Sequence, residues 1–159
     1  MMLTLIALFA LCAVITVRDV RYRLVYGADV ILLIALRVLA SIFSLYPEAS
    51  GLQPGRWGFG ALATSALAAL AVTVLFWALG RLVSHVSGNK ALGGGDVLLL
   101  AACCSFISIA DLDFYFGLTA LFGIALALFW LLGKKSKTFP FAPALVWPCW
   151  LVVLLAEFV

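Results

Sequence analysis

Two aspartates stand where an apolar chain has reason to exclude them. Asp96 follows three glycines and precedes aliphatic residues in "LGGGDVLLLA", and Asp19 closes a long apolar run in "ITVRDVRYR". A carboxylate at the mouth of a hydrophobic segment costs free energy unless a partner, water or a function holds it there. Gly93, Gly94 and Gly95 indicate backbone that must pass close to something. Two carboxylates brought together at a low-dielectric edge cannot both ionise readily, so one keeps a proton near neutral pH. One can then take a proton from water as general base while the other donates to a carbonyl oxygen, which is the chemistry of peptide-bond hydrolysis.

Each group also has a plainer reading. Asp19 lies among Arg18, Arg21 and Arg23 and, taken alone, reads as a neutralised loop residue. Asp96 suits the N-terminus of a helix, where an acidic side chain satisfies free N–H groups, although a cap does not need three glycines in a row. Asp29 reads as a packed or water-exposed polar residue near the membrane edge, and His85, in "SHVSG", as a solvated loop residue. Cys12, Cys103, Cys104 and Cys149 all lie inside apolar runs without a C-x-x-C pair or a histidine cluster. They read as small core residues, with Cys103 and Cys104 on two different faces of a helix, and no zinc site is expected.

The elements that must position these groups are hydrophobic. The chain of 159 residues is 67% hydrophobic and 11% charged, with a mean hydropathy of +1.26, more apolar surface than a water-soluble domain of this length can hide. An all-α bundle of six transmembrane helices is expected, over 2–17, 25–46, 57–80, 96–114, 115–132 and 140–158. No stretch between them is long or polar enough to fold alone, so 1–159 reads as one membrane domain. The first run lacks a basic start and has its positive charges behind it, the polarity of a retained helix and not of a cleaved signal peptide. Eight of the ten Lys and Arg residues fall in the loops after spans one, three and five, which makes that side cytoplasmic and places both termini outside. Asp19 and Asp96 then share a depth at the cytoplasmic edge. In span three, Ala61, Ser65 and Ala69 recur every four residues, a seam that lets helices approach closely and predicts a central position. No basic patch interleaved with aromatics argues for nucleic acid.

Gly93-Gly94-Gly95-Asp96 fits Gly-x-Gly-Asp, the motif of intramembrane aspartyl proteases, and "LGGGDVLLLAA" resembles the second catalytic segment of the type IV prepilin peptidase family. The order of features agrees across the chain: an aspartate after the first short helix in "RDVRYRLVYG", a Pro-x-x-Pro-like start to the last helix in "FPFAPALVW", and six helices. The resemblance implies catalytic roles for Asp19 and Asp96, no metal or cofactor, and removal of a basic leader from prepilin-like proteins on the cytoplasmic side of a bacterial inner membrane, for a pilus or a type II secretion apparatus. The chain departs from the pattern at Leu98, where the family usually has lysine, and at Tyr26 and Gly27, where it usually has proline and an amide or acid. It also carries no counterpart of the cysteine-paired N-terminal domain of longer members, which add N-methyltransferase activity.

Two other classes remain open from residues alone. A small transporter or channel would use Asp29, Arg37, Asp96 and Asp111 to line a polar path, and a non-catalytic assembly subunit would account for Leu98. The charge pattern makes a direct prediction. A reporter fused after residue 137 should read cytoplasmic and one at the C-terminus periplasmic, and the reverse result at either point would remove a span.

Overall fold

The computed structural model describes residues 2–45, 57–87, 93–134 and 140–158. It is all-helical, as expected, and six α-helices run along the described residues: α1 (Met2–Tyr22), α2 (Gly27–Phe43), α3 (Phe59–Ser87), α4 (Gly94–Cys104), α5 (Leu112–Lys134) and α6 (Ala142–Phe158). A single 3-10 turn, Ile109–Asp111, leads into α5. Among the described residues, three stretches are long and apolar enough to cross a membrane, Met2–Tyr22, Phe59–Val86 and Ile109–Gly133, and shorter apolar helices fill the bundle between them. This is a helical membrane protein.

The buried positions of α1 are Leu5, Leu8, Cys12, Ile15 and Asp19. Their alternating spacing of three and four marks a single stripe facing a partner helix. That partner is α6, which also packs on α5 and α4. Asp19 therefore lies inside α1 as the last position of its inward stripe, one turn short of the helix end, and not in a loop after a helix ending at residue 17. At 5% exposure it is no solvated loop residue.

The fourth span departs furthest from expectation. The apolar run over 96–114 forms only an 11-residue helix, ~16 Å long against the ~30 Å hydrocarbon core. Asp111 and Asp113 belong instead to the start of α5. In "CCSFIS", Ser105, Phe106 and Ile107 turn back by hydrogen-bonding their N–H groups to the carbonyls of the last helical turn. Phe106 and Ile107 remain buried, so the irregular backbone is enclosed by protein, the condition for breaking a helix at membrane depth.

Arg37 completes this half-helix. It is 2% exposed, its Nε donates to the Ser105 carbonyl at 2.8 Å, and its Nη1 donates to Ser41 Oγ at 3.1 Å and to the Trp57 carbonyl at 3.4 Å. The guanidinium stacks over the Trp57 ring, whose Nε1 donates to Glu157 at 2.7 Å. A buried cation at a helix C-terminus meets both the orphan carbonyls and the negative end of the dipole.

The small-residue seam of α3 does face protein, since Ser65 and Ala69 are buried, but α3 is not central. It packs on α4 and, more lightly, α2, leaving most of its surface exposed, while α4 and α6 hold the middle. His85 sits in the last turn of α3 on an exposed face, so it belongs to a helix and not to a loop. Both Cys103 and Cys104 are buried, because α4 is enclosed around its circumference at that level.

Replacing Arg37 by methionine is expected to leave the Ser105 carbonyl unpaired in an apolar interior, costing about 2 kcal/mol or more. The midpoint of thermal unfolding in detergent should fall accordingly, and an unchanged midpoint would show that α4 needs no guanidinium at its end.

Candidate functional site

Asp19 and Asp96 line one cleft of about 480 Å³, together with Arg23, Val25, the three glycines and Phe141. Two residues distant in sequence are thus brought together, and each is held by a helix N-terminus.

The Asp19 carboxylate accepts a hydrogen bond from the Ala142 N–H at 2.9 Å, so it satisfies one of the free donors at the start of α6. The segment "PFAP" makes this possible. Pro140 is fully buried, and the Ala144 N–H closes back on the Phe141 carbonyl at 2.9 Å, aiming the first turn of α6 at α1.

Asp96 lies three residues after Gly93, the residue at which α4 begins. Its carboxylate turns back on the Gly93 backbone and is hydrogen-bonded there, which is the side-chain-to-N-cap half of a capping box. A side chain at Gly93 would place a Cβ 3.0 Å from Asp96 Oδ2, and one at Gly95 would stand 3.2 Å from Val25 Cβ, whereas nothing lies within 4 Å at Gly94. The first and third glycines let the carboxylate and the α1–α2 connection close over the helix start. The middle one does not have that duty.

α4 does not itself cross the membrane, and its first turn opens on the cleft. Burial, and then the negative charge of Asp19, push the Asp96 carboxyl up to about 6 against the pull of the Gly93 hydrogen bond. Asp96 therefore holds its proton into the mildly acidic range. The Asp19 carboxylate lies against the start of α6, with the Ala142 N–H at 2.9 Å, and shares the cleft with Arg23. The two carboxylates therefore sit in different surroundings.

Arg23 and Phe141 are cleft residues that the sequence reading did not single out. Arg23 follows α1 with φ of +55°, its N–H bonded to the Asp19 carbonyl at 2.9 Å, and its guanidinium 4.6 Å above the Trp130 ring. A non-glycine residue in the left-handed region is uncommon, and the stacking holds it there. Nothing in "RYRLV" announces that conformation; the indole partner comes from α5.

The remaining charged residues are engaged elsewhere. Asp29 is buried and receives Arg18, which agrees with a packed role. Arg37 caps α4, and Asp111 accepts from the Ser108 hydroxyl at 2.6 Å. Of the four groups that a transporter path would need, Asp96 opens on the cleft and Arg37 on a separate groove, so they do not form one polar line. Leu98, where a lysine was expected, lies in that groove between α2, α3 and α4 and does not line the cleft.

The model of the type IV leader peptidase family matches residues 6–128, which contain both aspartates and the glycine motif. The chain belongs to the type IV leader peptidase family. Its members are peptidases, so the protein is a membrane protease of the leader-peptidase kind. No curated protein and no solved structure matches it. The matched span ends within α5, so α6, whose N–H holds Asp19, lies outside the matched residues.

The glycines separate cleanly in a test. Gly94→Ala should retain cleavage by this leader peptidase, whereas Gly93→Ala and Gly95→Ala should reduce it at least about tenfold by displacing Asp96 or the Val25 connection. Cleavage of a precursor in membranes, normalised to enzyme level, reads the difference, and equal activity in all three would remove the close approach as the reason for the motif.

Proposed function

We propose that the protein is an aspartyl endopeptidase that removes the short basic leader of prepilin-like proteins, cutting ahead of their hydrophobic helix on the cytoplasmic side of a bacterial inner membrane. One observation carries this reading. Two carboxylates line a single cleft, each held by a different helix N-terminus, and burial and the Asp19 charge push the Asp96 carboxyl up to about 6. Family membership supplies the substrate class, and a pilus or type II secretion apparatus is the destination of such substrates. Membrane lipids are its other expected partners.

In the proposed reaction a water molecule and the scissile carbonyl enter between the carboxylates. Asp19 takes a proton from the water as it attacks, and Asp96 gives its proton to the carbonyl oxygen, yielding a neutral tetrahedral intermediate. Collapse expels the leaving amine, which takes the proton held by Asp19, while Asp96 recovers its proton from a hydroxyl of the intermediate, so both carboxyls return to their starting states. The substrate's hydrophobic helix stays in the bilayer, which brings the scissile bond to the membrane edge. The cleft lies at the end of α1 that carries Arg18 and Arg21 and is followed by Arg23.

The residue facing lipid or substrate at Leu98 is outside this chemistry. Leu98→Lys is accordingly expected to leave cleavage standing. A loss of cleavage without loss of folded protein would mean that the groove between α2, α3 and α4 takes part.

Asp19→Asn and Asp96→Asn should each abolish cleavage, by roughly a thousandfold or more, and the double variant should lose little beyond either, as for residues that act as a unit. Asp111→Asn and Asp113→Asn should retain activity. Because Asp96 carries its proton below about 6 and loses it above, the rate for the free enzyme should fall as pH climbs through that value. Substantial cleavage by either Asn variant at normal protein level would defeat the aspartyl reading.

A further inference from the structure

Behind the cleft lies a second cavity of about 60 Å³. Asp96 and Phe141 belong to both, so together they form the wall between them. The inner walls include Phe76 and Phe116, whose rings stack at 5.9 Å, and Thr119. The space is several times what one water molecule requires, ~10–15 Å³, and the lining is otherwise apolar.

Thr119 is 8% exposed, and its hydroxyl has no hydrogen-bond partner. Helical threonines commonly turn the hydroxyl onto the carbonyl four residues earlier, as Thr73 does on Ala69 at 2.6 Å and Thr64 on Gly60 at 3.2 Å. Thr119 does not. Tyr115, one turn earlier, lies within reach of the Thr119 hydroxyl but spends its own hydroxyl hydrogen on the Leu145 carbonyl, and the two side chains make no hydrogen bond of ordinary length. A buried hydroxyl left in this way is costly unless water reaches it. The other polar side chain on the same cavity is Asp96.

We propose that this cavity holds an ordered water that accepts the Thr119 hydroxyl hydrogen and donates to the Asp96 carboxyl from behind, making Thr119 a positioning residue for the general acid. The inference rests on the acid–base reading of Asp19 and Asp96. The Gly93 backbone grips the carboxyl at the helix start and the water grips it from the bundle interior, so the carboxyl plane is fixed toward Asp19. A donor behind Asp96 also favours its ionised form, offsetting burial and the Asp19 charge, and keeps the acid strong enough to release its proton during turnover.

The other charged and titratable groups around Asp96 do not supply this donor. α1 presents Asp19 and Arg23 on the cleft side. Arg81 of α3 lines a pocket on the far side of Gly93 and Gly94 and stacks on Trp77. α5 offers Tyr115, already donating to Leu145, and α2 brings no charged residue to either cavity. The first turns of α6 carry none among the described residues.

The test compares Thr119→Val, which removes the hydroxyl at nearly constant shape, with Thr119→Ser, which keeps it. Purified enzyme in detergent is assayed on a prepilin-like precursor with a basic leader, from pH 5 to 9, with the thermal unfolding midpoint as a fold control. The valine variant should unfold no earlier than the parent, lose about tenfold in kcat with KM little changed, and move the alkaline limb of its pH profile upward by about half a pH unit or more. The serine variant should recover both rate and profile. Should the valine variant fail to accumulate in membranes, Thr119→Ala carries the same readouts. An unshifted limb with parental kcat, or valine and serine variants that behave alike, overturns the proposal. Full activity in Asp96→Asn and Asp19→Asn would instead place the failure in the acid–base reading itself.

Discussion

A helix that begins or ends inside an apolar bundle leaves backbone N–H and C=O groups that no water can reach, and each must find a partner. Much of this structure follows from that demand. α4 stops within the protein, so its C-terminal end takes a buried arginine, and its N-terminal end, which opens on the cleft, takes Asp96. α6 begins beside α1, and its first N–H takes Asp19. The two carboxylates of the cleft are therefore caps before they are anything else. In the proposed mechanism capping and catalysis need not compete, because a carboxylate that gives one oxygen to a helix N–H still has a second. Two positive helix ends converging on one space also explain how two acids tolerate each other in an apolar surrounding.

The asymmetry between them follows from what else each helix end brings. Asp19 has Arg23 nearby, and Arg23 is fixed by its left-handed backbone and its stacking on Trp130. Asp96 has no cation on its own helix, faces Asp19, and backs onto an aromatic-walled cavity. In the proposed mechanism the proton belongs to the pair. A symmetrical cleft would leave base and acid interchangeable, whereas the different surroundings here give the proposed roles a physical basis.

Much of this could be read in the sequence, and the failures have physical causes. Hydropathy located the membrane helices, and the glycines around Asp96 pointed correctly to close backbone approach, although only Gly93 and Gly95 need it. The stripe Leu5, Leu8, Cys12, Ile15 continues in register to Asp19, and following it one step further would have placed that residue inside the helix and facing inward. The apolar run after Asp96 hid a helix end, because hydropathy does not register where hydrogen bonding stops. The missing clue was Arg37: a base that deep in a span needs an acceptor, and a broken helix offers one. The small-residue seam of α3 marked a real contact but not a central helix, since close approach to α4 on one side leaves the other side to lipid.

The same reasoning bears on Leu98. Asp96 and Leu98 are two positions apart, and residues so spaced on a helix point to different sides. Asp96 faces the cleft and Leu98 the groove beside Val30, Ala66 and Ala101. A lysine there would carry its ammonium away from the carboxylates on a long, flexible stem, toward the membrane edge that its charge prefers. Leucine instead leaves the groove apolar from wall to wall, apart from Arg37, whose charge is spent on the α4 terminus, and Thr73 and Ser105, whose hydroxyls are bonded within their own segments. The departure at Leu98 thus falls on the groove between α2, α3 and α4, while the carboxylates and the glycines beside them remain in the cleft. The Leu98 departure therefore changes what can lie against α4 and leaves the residues of the cleft as they are.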